Sequence, residues 1–123
     1  KKKKYDKSQL ENYNDLWMSM NHHSSFSSTE QKEALRLINN KIIATHEVLK
    51  SASHIVITLG TSWVYTYKKT NSVVANCHRI PQKEFNKKLL GIEEITKSLD
   101  RIKSMIHQFN SDANIIFTVS PVR

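Results

Sequence analysis

The chain has 123 residues, enough for one small domain, and a formal net charge of +8 at pH 7. The positive charges are concentrated in the first four lysines and otherwise scattered without an aromatic–basic motif, so nucleic acid is not an expected partner. No apolar run approaches the roughly 20 residues that cross a membrane, so no membrane helix is predicted and a membrane is not an expected partner either. Cys77 is the only cysteine, so no intrachain disulfide is expected and a reducing compartment such as the cytoplasm is favoured. The sequence leaves the oligomeric state open.

Residues 1–21 form a polar, lysine-rich lead-in in which a few apolar side chains recur at intervals of three and four residues. This spacing predicts a short amphipathic helix over residues 8–20. The apolar anchors are Leu10, Tyr13, Leu16, Trp17 and Met20. A serine-rich loop follows, and residues 22–123 are predicted to be the central part of one α/β domain, truncated at both ends.

The first long helix is predicted downstream of this loop. Ser28 as N-cap and Gln31 three residues later form a capping-box pattern, and the helix should end near Lys50. Its apolar stripe consists of Leu35, Ile38, Ile42, Thr45 or His46, and Leu49. In the run at 55–60, apolar and mostly β-branched residues end on Gly60. Such a run is typical of a buried parallel strand that delivers its C-terminal end to a ligand crevice.

Four further elements complete the predicted order. The runs 63–67 and 72–76 flank a polar turn and predict a hairpin, and the stretch 81–90 is predicted to be helical or irregular. A second amphipathic helix is predicted over residues 92–109 from apolar side chains at helical spacing. The last strand is predicted at residues 115–119.

The order of the elements indicates the fold class. Helix, strand, hairpin, helix and strand follow one another, so residues 55–120 are predicted to form a β-α-β unit with parallel strands and a right-handed crossover. Such units belong to sheets that are covered by helices on both faces, and this chain supplies only part of one. We therefore predict an α/β fold that is a partial three-layer sandwich.

Gly60 and Asn76 are the candidate oxyanion-hole residues. The backbone N–H of Gly60 can face an anion where a substrate approaches the strand end, although a glycine equally suits a simple turn. The Asn76 carboxamide can donate to an oxyanion without carrying charge. Its alternative role is an Asx turn that caps the hairpin.

Hydroxyls, aromatic rings and basic side chains near the predicted strand ends are candidate substrate-binding groups, each with a structural alternative as a turn, core or surface residue. They are Ser62, Trp63, Tyr65, His78, Arg79, Ser120 and Arg123. Cys77 and His78 are adjacent and would point to opposite faces of a strand, so they form no thiolate–imidazole pair. A zinc site made of these two residues with His22 and His23 matches no common ligand spacing, and no metal or cofactor is predicted.

Three blocks of the sequence together resemble the GSCFA domain family. They read TLGTSWVY at 58–65, VANCHRIP at 74–81 and FTVSPVR at 117–123. An upstream block at 17–27 is similar to the same family: a tryptophan, four further residues, and then His-His-Ser-x-Phe-Ser. Arg79 stands where lysine is commoner in the family, which keeps the positive charge.

The resemblance implies an SGNH-like hydrolase with a flavodoxin-like α/β sandwich. It implies a serine esterase or acyltransferase that acts on a small-molecule or carbohydrate ester. The nucleophilic serine would lie upstream of residue 1 and the catalytic histidine and aspartate downstream of residue 123, so the chain alone is expected to be inactive. The alternative is a non-catalytic carbohydrate- or partner-binding α/β module.

The resemblance also bears on the oxyanion hole. In SGNH enzymes a Gly-x-Asn block after the third strand supplies an oxyanion donor. Gly60 matches the glycine of that block, but Ser62 stands at the position of the asparagine. We therefore expect Asn76 to replace the missing donor.

Overall fold

The computed structural model describes residues 4–120, and its helices and parallel strands confirm the α/β class. The helices are α1 (Gln31–Ser51) and α2 (Ile92–Phe109), and the strands are β1 (Glu11–Tyr13), β2 (Leu16–Met18), β3 (His54–Leu59), β4 (Trp63–Tyr67), β5 (Ser72–Val74), β6 (Phe85–Leu89) and β7 (Asn114–Val119). The chain divides into two compact units. The first unit comprises the described residues of Lys1–Ala44 and Val64–Lys88, and the second those of Thr45–Trp63 and Leu89–Arg123.

The lead-in folds as a β-hairpin, so the prediction of a helix over residues 8–20 is wrong. Among the described residues of the lead-in only Lys7–Gln9 is helical, as a single 3-10 turn, and β1 then pairs antiparallel with β2. Asn14 and Asp15 both adopt left-handed backbone conformations, with φ of 50° and 59°, which is the geometry of a two-residue hairpin turn. An α-helix does not continue through two consecutive left-handed residues, because each costs about 1–2 kcal/mol and reverses the chain.

Helix α1 carries the first apolar cluster of the first unit. Ala34 and Ile38 are completely buried on one face of the helix, and Leu10 is buried against them. The partly buried residues packed around these three are Tyr5, Trp17, Phe26, Leu35 and Ile42. The predicted helix is therefore confirmed, and the part of its apolar stripe that lies in this unit faces the core.

The second apolar cluster of the first unit includes residues of the three-stranded sheet β5-β4-β6. Its buried members are Met18, Met20, Tyr67, Val74, Ile80 and Phe85. β4 and β5 form the predicted antiparallel hairpin. The stretch 81–90 differs from its prediction: after a 3-10 turn at Gln82–Glu84 it continues as the strand β6. Phe85 is the only buried residue of β6, so the strand has little apolar pattern of its own. The ring centroids of Phe85 and Tyr67 are 5.2 Å apart.

In the second unit, β3 and β7 pair in parallel along their whole length, with His54 opposite Asn114 and Leu59 opposite Val119. This pairing confirms the parallel strands predicted for residues 55–120. Helix α2 is also confirmed, although Ile92 at its start remains 85% exposed. Within the described part of the chain, neither helix has the length and apolarity needed to cross a bilayer.

Candidate functional site

A cleft of about 540 Å³ in the first unit is formed by the β1–β2 hairpin, the loop after it and the loop after β5. Its lining residues are Tyr13, Asn14, Leu16, Met18, Ser24, Asn76, His78 and Arg79. Three of them, Asn76, His78 and Arg79, are site residues predicted from the sequence. The structure brings these three together with side chains from much earlier in the chain, and this cleft is the candidate functional site.

Hydrogen bonds hold the loop after β5 against the segment that follows β2. The backbone N–H groups of Ala75 and Asn76 both donate to the carbonyl oxygen of Met20, at 2.9 and 3.0 Å. His78 Nε2 lies 2.9 Å from the carbonyl oxygen of Ser19. A carbonyl oxygen only accepts, so this ring nitrogen carries the proton. Since Ser19 and Met20 are both buried, the three bonds anchor the loop to the core of the unit.

The side chain of Asn76 closes a tight turn at the cleft. Its Oδ1 accepts the backbone N–H of His78 at 2.8 Å, which confirms the Asx turn. His78 has φ of 51°, a left-handed conformation that costs a residue with a side chain about 1–2 kcal/mol. Among the described residues no group bonds the Nδ2 of Asn76 or the Nδ1 of His78. The turn therefore leaves one amide donor and one imidazole nitrogen available to a ligand.

The lining of the cleft combines one cation with polar groups and an apolar wall. Arg79 is the only permanently charged residue among the described lining residues, and none of them is an aspartate or glutamate. Leu16 and Met18 contribute the apolar surface, and Met18 belongs to the buried cluster of the unit. Such a lining suits a ligand that has hydrogen-bonding groups, an apolar substituent and no positive charge.

Ser19, next to the cleft, also organises His22. The Ser19 Oγ lies 2.9 Å from His22 Nδ1 and accepts the backbone N–H of Asn21 at 3.2 Å. The His22 ring meets the rings of Tyr5 and Phe26 edge to face, with centroids 4.8 and 5.8 Å away. Because this partial burial removes water from the imidazole, the pKa of His22 is lowered from its usual value.

The lowered pKa of His22 predicts a loss of stability in mild acid. Below the unfolded-state pKa of about 6.5 the unfolded chain takes up this proton more readily than the folded chain. The free energy of unfolding should therefore fall as the pH drops from 7.5 through the folded-state pKa of His22. His22→Asn keeps a hydrogen-bond acceptor but does not titrate, so its unfolding free energy should fall less over the same pH range.

Urea unfolding at pH 7.5 and 5.5 measures this difference, and an NMR titration of the His22 ring protons measures its pKa directly. The matched control is His54→Asn, which removes an exposed histidine from the start of β3. The prediction would be contradicted if the free energy of unfolding fell equally in the wild type and in His22→Asn between pH 7.5 and 5.5. A folded-state pKa of His22 above 6.5 would also contradict it.

Cys77 has the character of a structural thiol. It packs partly buried against the apolar cluster that contains Phe85, and burial raises the pKa of its thiol, so the thiol stays protonated at neutral pH. The residues of the zinc hypothesis do not form a ligand set, because within residues 4–120 no three His, Cys, Asp or Glu side chains come together. The ring nitrogens of His22 and His78 instead face Ser19, as described above.

Gly60 and Ser120 lie at the ends of the parallel strands in the second unit. The Ser120 N–H donates to the carbonyl oxygen of Leu59 at 3.4 Å, so the two strand ends are adjacent. Gly60 is exposed, its φ is not positive, and a Cβ placed on it would meet no atom within 4 Å. Neither its conformation nor its packing therefore requires a glycine. Since Asn76 belongs to the first unit, a joint oxyanion role with Gly60 stays a prediction.

The remaining predicted residues are not among the residues that line the cleft. Ser62 and Trp63 belong to the second unit, where Trp63 is 43% exposed. Tyr65, in the first unit, packs against the apolar cluster, with Lys87 Nζ 5.8 Å from its ring centroid. Arg123 lies outside the described residues. The substrate-binding role of these four residues stays a prediction.

Five lining residues were not predicted as site residues from the sequence. They are Tyr13, Asn14, Leu16, Met18 and Ser24. The sequence contains a signal for two of them. The Asn14-Asp15 pair is a turn former that favours a hairpin, and Ser24 lies within the block at 17–27. The apolar residues around the Asn14-Asp15 pair also have helical spacing, so the segment was predicted to be a helix and the turn was not recognised.

The chain was compared with protein families, curated proteins and solved structures. The model of the GSCFA family matches residues 1–123. No curated protein and no solved structure matches the chain. The family match extends over every block that carried the resemblance and over the segments that form the cleft. The chain therefore belongs to the GSCFA family.

Proposed function

We propose that this chain supplies the substrate-binding cleft of a serine esterase or acyltransferase that acts on an ester or acyl group carried by a small molecule or a carbohydrate. The observation that supports the proposal is the convergence of Asn76, His78 and Arg79 in one cleft with an apolar wall. An ester offers the groups that this lining can bind: a carbonyl oxygen, neighbouring hydroxyls and an apolar acyl chain. In this proposal the nucleophilic serine and its catalytic base lie outside residues 1–123.

Asn76 is proposed to stabilise the oxyanion. Its Oδ1 is held by the His78 N–H, so the side chain is fixed in one orientation and its Nδ2 is presented without a partner among the described residues. A pre-oriented donor of this kind binds the tetrahedral oxyanion more strongly than the planar carbonyl of the substrate. The apolar side chains of Leu16 and Met18 would accommodate the acyl chain.

His78 is proposed to bind the substrate directly. Its Nε2–H donates to the Ser19 carbonyl oxygen, which fixes the ring and the tautomer and leaves Nδ1 as an acceptor. The Nδ1 can therefore accept a hydrogen bond from a substrate hydroxyl. The left-handed conformation of His78 supports this role, because strained backbone conformations of this kind cluster at ligand-binding and active sites.

The proposal is tested by labelling the full-length protein with a fluorophosphonate, which modifies activated serines. Intact mass and peptide mapping are expected to show one adduct, on a serine outside residues 1–123, and the adduct should block hydrolysis of p-nitrophenyl acetate. The matched control is the chain of residues 1–123 alone, which should remain unlabelled. A folded full-length protein without an adduct, or with an adduct on a serine within residues 1–123, would contradict the proposal.

A carbohydrate-binding module without catalytic activity is the second candidate function. It is favoured by one observation: most of the polar groups among the described lining residues are amides and hydroxyls, which suit the hydroxyls of a sugar. The cleft would then bind a sugar through its amides, its imidazole and the ring of Tyr13 without turning it over. Saturable sugar binding combined with a negative labelling result would decide for this candidate.

A further inference from the structure

We infer that the ligand of this cleft is an acylated sugar that also carries a carboxylate, and that Arg79 selects for the carboxylate. The inference that the ligand carries an acyl group rests on the proposed function. The inference that it carries a carboxylate is independent of that function and follows from the charge and the partners of the cleft residues.

Arg79 has no acidic partner among the described residues, whereas two other basic residues of the first unit, Arg36 and Lys69, each have one. Arg36 donates to both carboxylate oxygens of Glu33, at 2.6 and 2.7 Å, and Lys69 donates to Glu11 at 2.6 Å. No described residue pairs with Arg79 or accepts a hydrogen bond from it. A guanidinium that lines a cleft and has no acceptor within the described chain is available to a ligand.

The backbone of Arg79 is held firmly on both sides. Before it, His78 is fixed by its hydrogen bond to Ser19 and by the turn that Asn76 closes. After it, Ile80 donates its N–H to the Cys77 carbonyl oxygen at 3.2 Å and buries its side chain in the apolar cluster. The loop therefore presents the arginine side chain from a fixed base, which lowers the entropy cost of binding a ligand.

The charge of the cleft favours a monoanionic group. Arg79 brings one positive charge, and no aspartate or glutamate stands among the described lining residues to neutralise it. A carboxylate can accept two parallel hydrogen bonds from a guanidinium and match its single charge. A phosphate monoester carries close to two negative charges at neutral pH, and one arginine would leave part of that charge uncompensated.

The other lining groups fit the rest of such a ligand. The amides of Asn14 and Asn76 and the hydroxyl groups of Tyr13 and Ser24 can bind ring hydroxyls of a sugar. The volume of about 540 Å³ is sufficient for a monosaccharide with a short acyl substituent. A sugar acid ester therefore satisfies the charge, the polarity and the size of the cleft together.

The test compares two probes that share a sugar ring and differ only at C6. Methyl glucuronide carries a carboxylate there and methyl glucoside a hydroxymethyl group, and the galacto pair covers the other common ring stereochemistry. Titration of the ¹⁵N-labelled protein should show the uronide of at least one pair binding about tenfold tighter than its neutral partner, the gain expected of one charge-assisted bidentate contact. The side-chain signals of Arg79 and Asn76 should shift during the titration.

The variant Arg79→Gln should lose this preference, while Arg79→Lys should keep part of it because it retains the charge but not the bidentate geometry. The matched control, Arg36→Gln, removes an exposed arginine of α1 and should preserve the preference. Equal binding of the uronide and its neutral partner in both pairs would overturn the inference, as would a preference that survives Arg79→Gln. Saturable binding of inorganic phosphate that no uronide displaces would also overturn the inference, because it would assign Arg79 to a phosphate.

The binding experiment requires no turnover, so its result is separable from the proposed function. A uronide preference that depends on Arg79, in a protein that takes up no fluorophosphonate, would reject the esterase and retain a sugar-acid binding cleft. A labelled serine together with equal binding of both probes would retain the esterase and reject the selection of a carboxylate by Arg79.

Discussion

Replacing Ile38 by alanine is expected to lower the free energy of unfolding by about 2–5 kcal/mol, the largest stability effect of the predictions made for this protein. Ile38 is 0% exposed and lies on α1 one turn after Ala34, which is also completely buried. Removing its methyl and methylene groups leaves a cavity that the surrounding helix and aromatic rings cannot close fully. A loss of this size is a large fraction of the 5–15 kcal/mol that stabilises a typical domain.

Urea unfolding, followed by circular dichroism and by the fluorescence of Trp17 in the same cluster, measures the loss. The matched control is Ile43→Ala on the same helix, where the side chain is 37% exposed and the cost should be clearly smaller. If Ile38→Ala does not fold, Ile38→Val still tests the prediction, with an expected cost of about 0.5–1.5 kcal/mol. Equal costs at positions 38 and 43 would show that the cluster around Ile38 is not the core of the first unit.

In the proposed esterase or acyltransferase, replacing Asn76 by aspartate is expected to lower the turnover number by about 10²–10³, the usual effect of losing one oxyanion donor. Aspartate keeps an oxygen that accepts the His78 N–H, so the turn should persist, but it replaces the Nδ2 donor by an acceptor that repels an oxyanion. Asn76→Ala removes the donor and the turn together. It should therefore lower turnover and also cost about 1 kcal/mol of stability.

Steady-state kinetics with p-nitrophenyl acetate, a neutral substrate, separates turnover from the binding of an anionic ligand. The effect of Asn76→Asp should fall on kcat rather than on KM, because the donor acts on charge that develops in the transition state. Asn86→Asp, at an exposed position of β6 in the same unit, is the matched control and should keep the wild-type kcat. An unchanged kcat in Asn76→Asp would remove Asn76 from the oxyanion role.

The candidate site was only partly predictable from the sequence. Asn76, His78 and Arg79 could be named because they stand together in one block of the sequence, between an apolar run and a proline. The other side of the cleft could not be located, because Asn14 and Ser24 reach it only through the fold. The loop after β5 is held against the segment after β2 by hydrogen bonds to the carbonyl groups of Ser19 and Met20. Every residue has a backbone carbonyl, so the sequence does not show which carbonyl groups accept these bonds.

The elements that the sequence determined by itself are those whose signal is local. α1 and α2 have apolar residues at helical spacing over several turns, and β3 and β7 are short runs of mostly apolar and β-branched residues, so each element could be recognised without knowing its neighbours. The tertiary structure decided the short elements. β1 and β2 carry an apolar spacing that fits a helix or a hairpin, and their pairing with each other across the turn at Asn14 and Asp15 selected the hairpin. β6 has one buried residue, and its place beside β4 in the three-stranded sheet selected its strand conformation. For a strand of three to five residues, the hydrogen bonds and contacts made with those partners outweigh the local propensity.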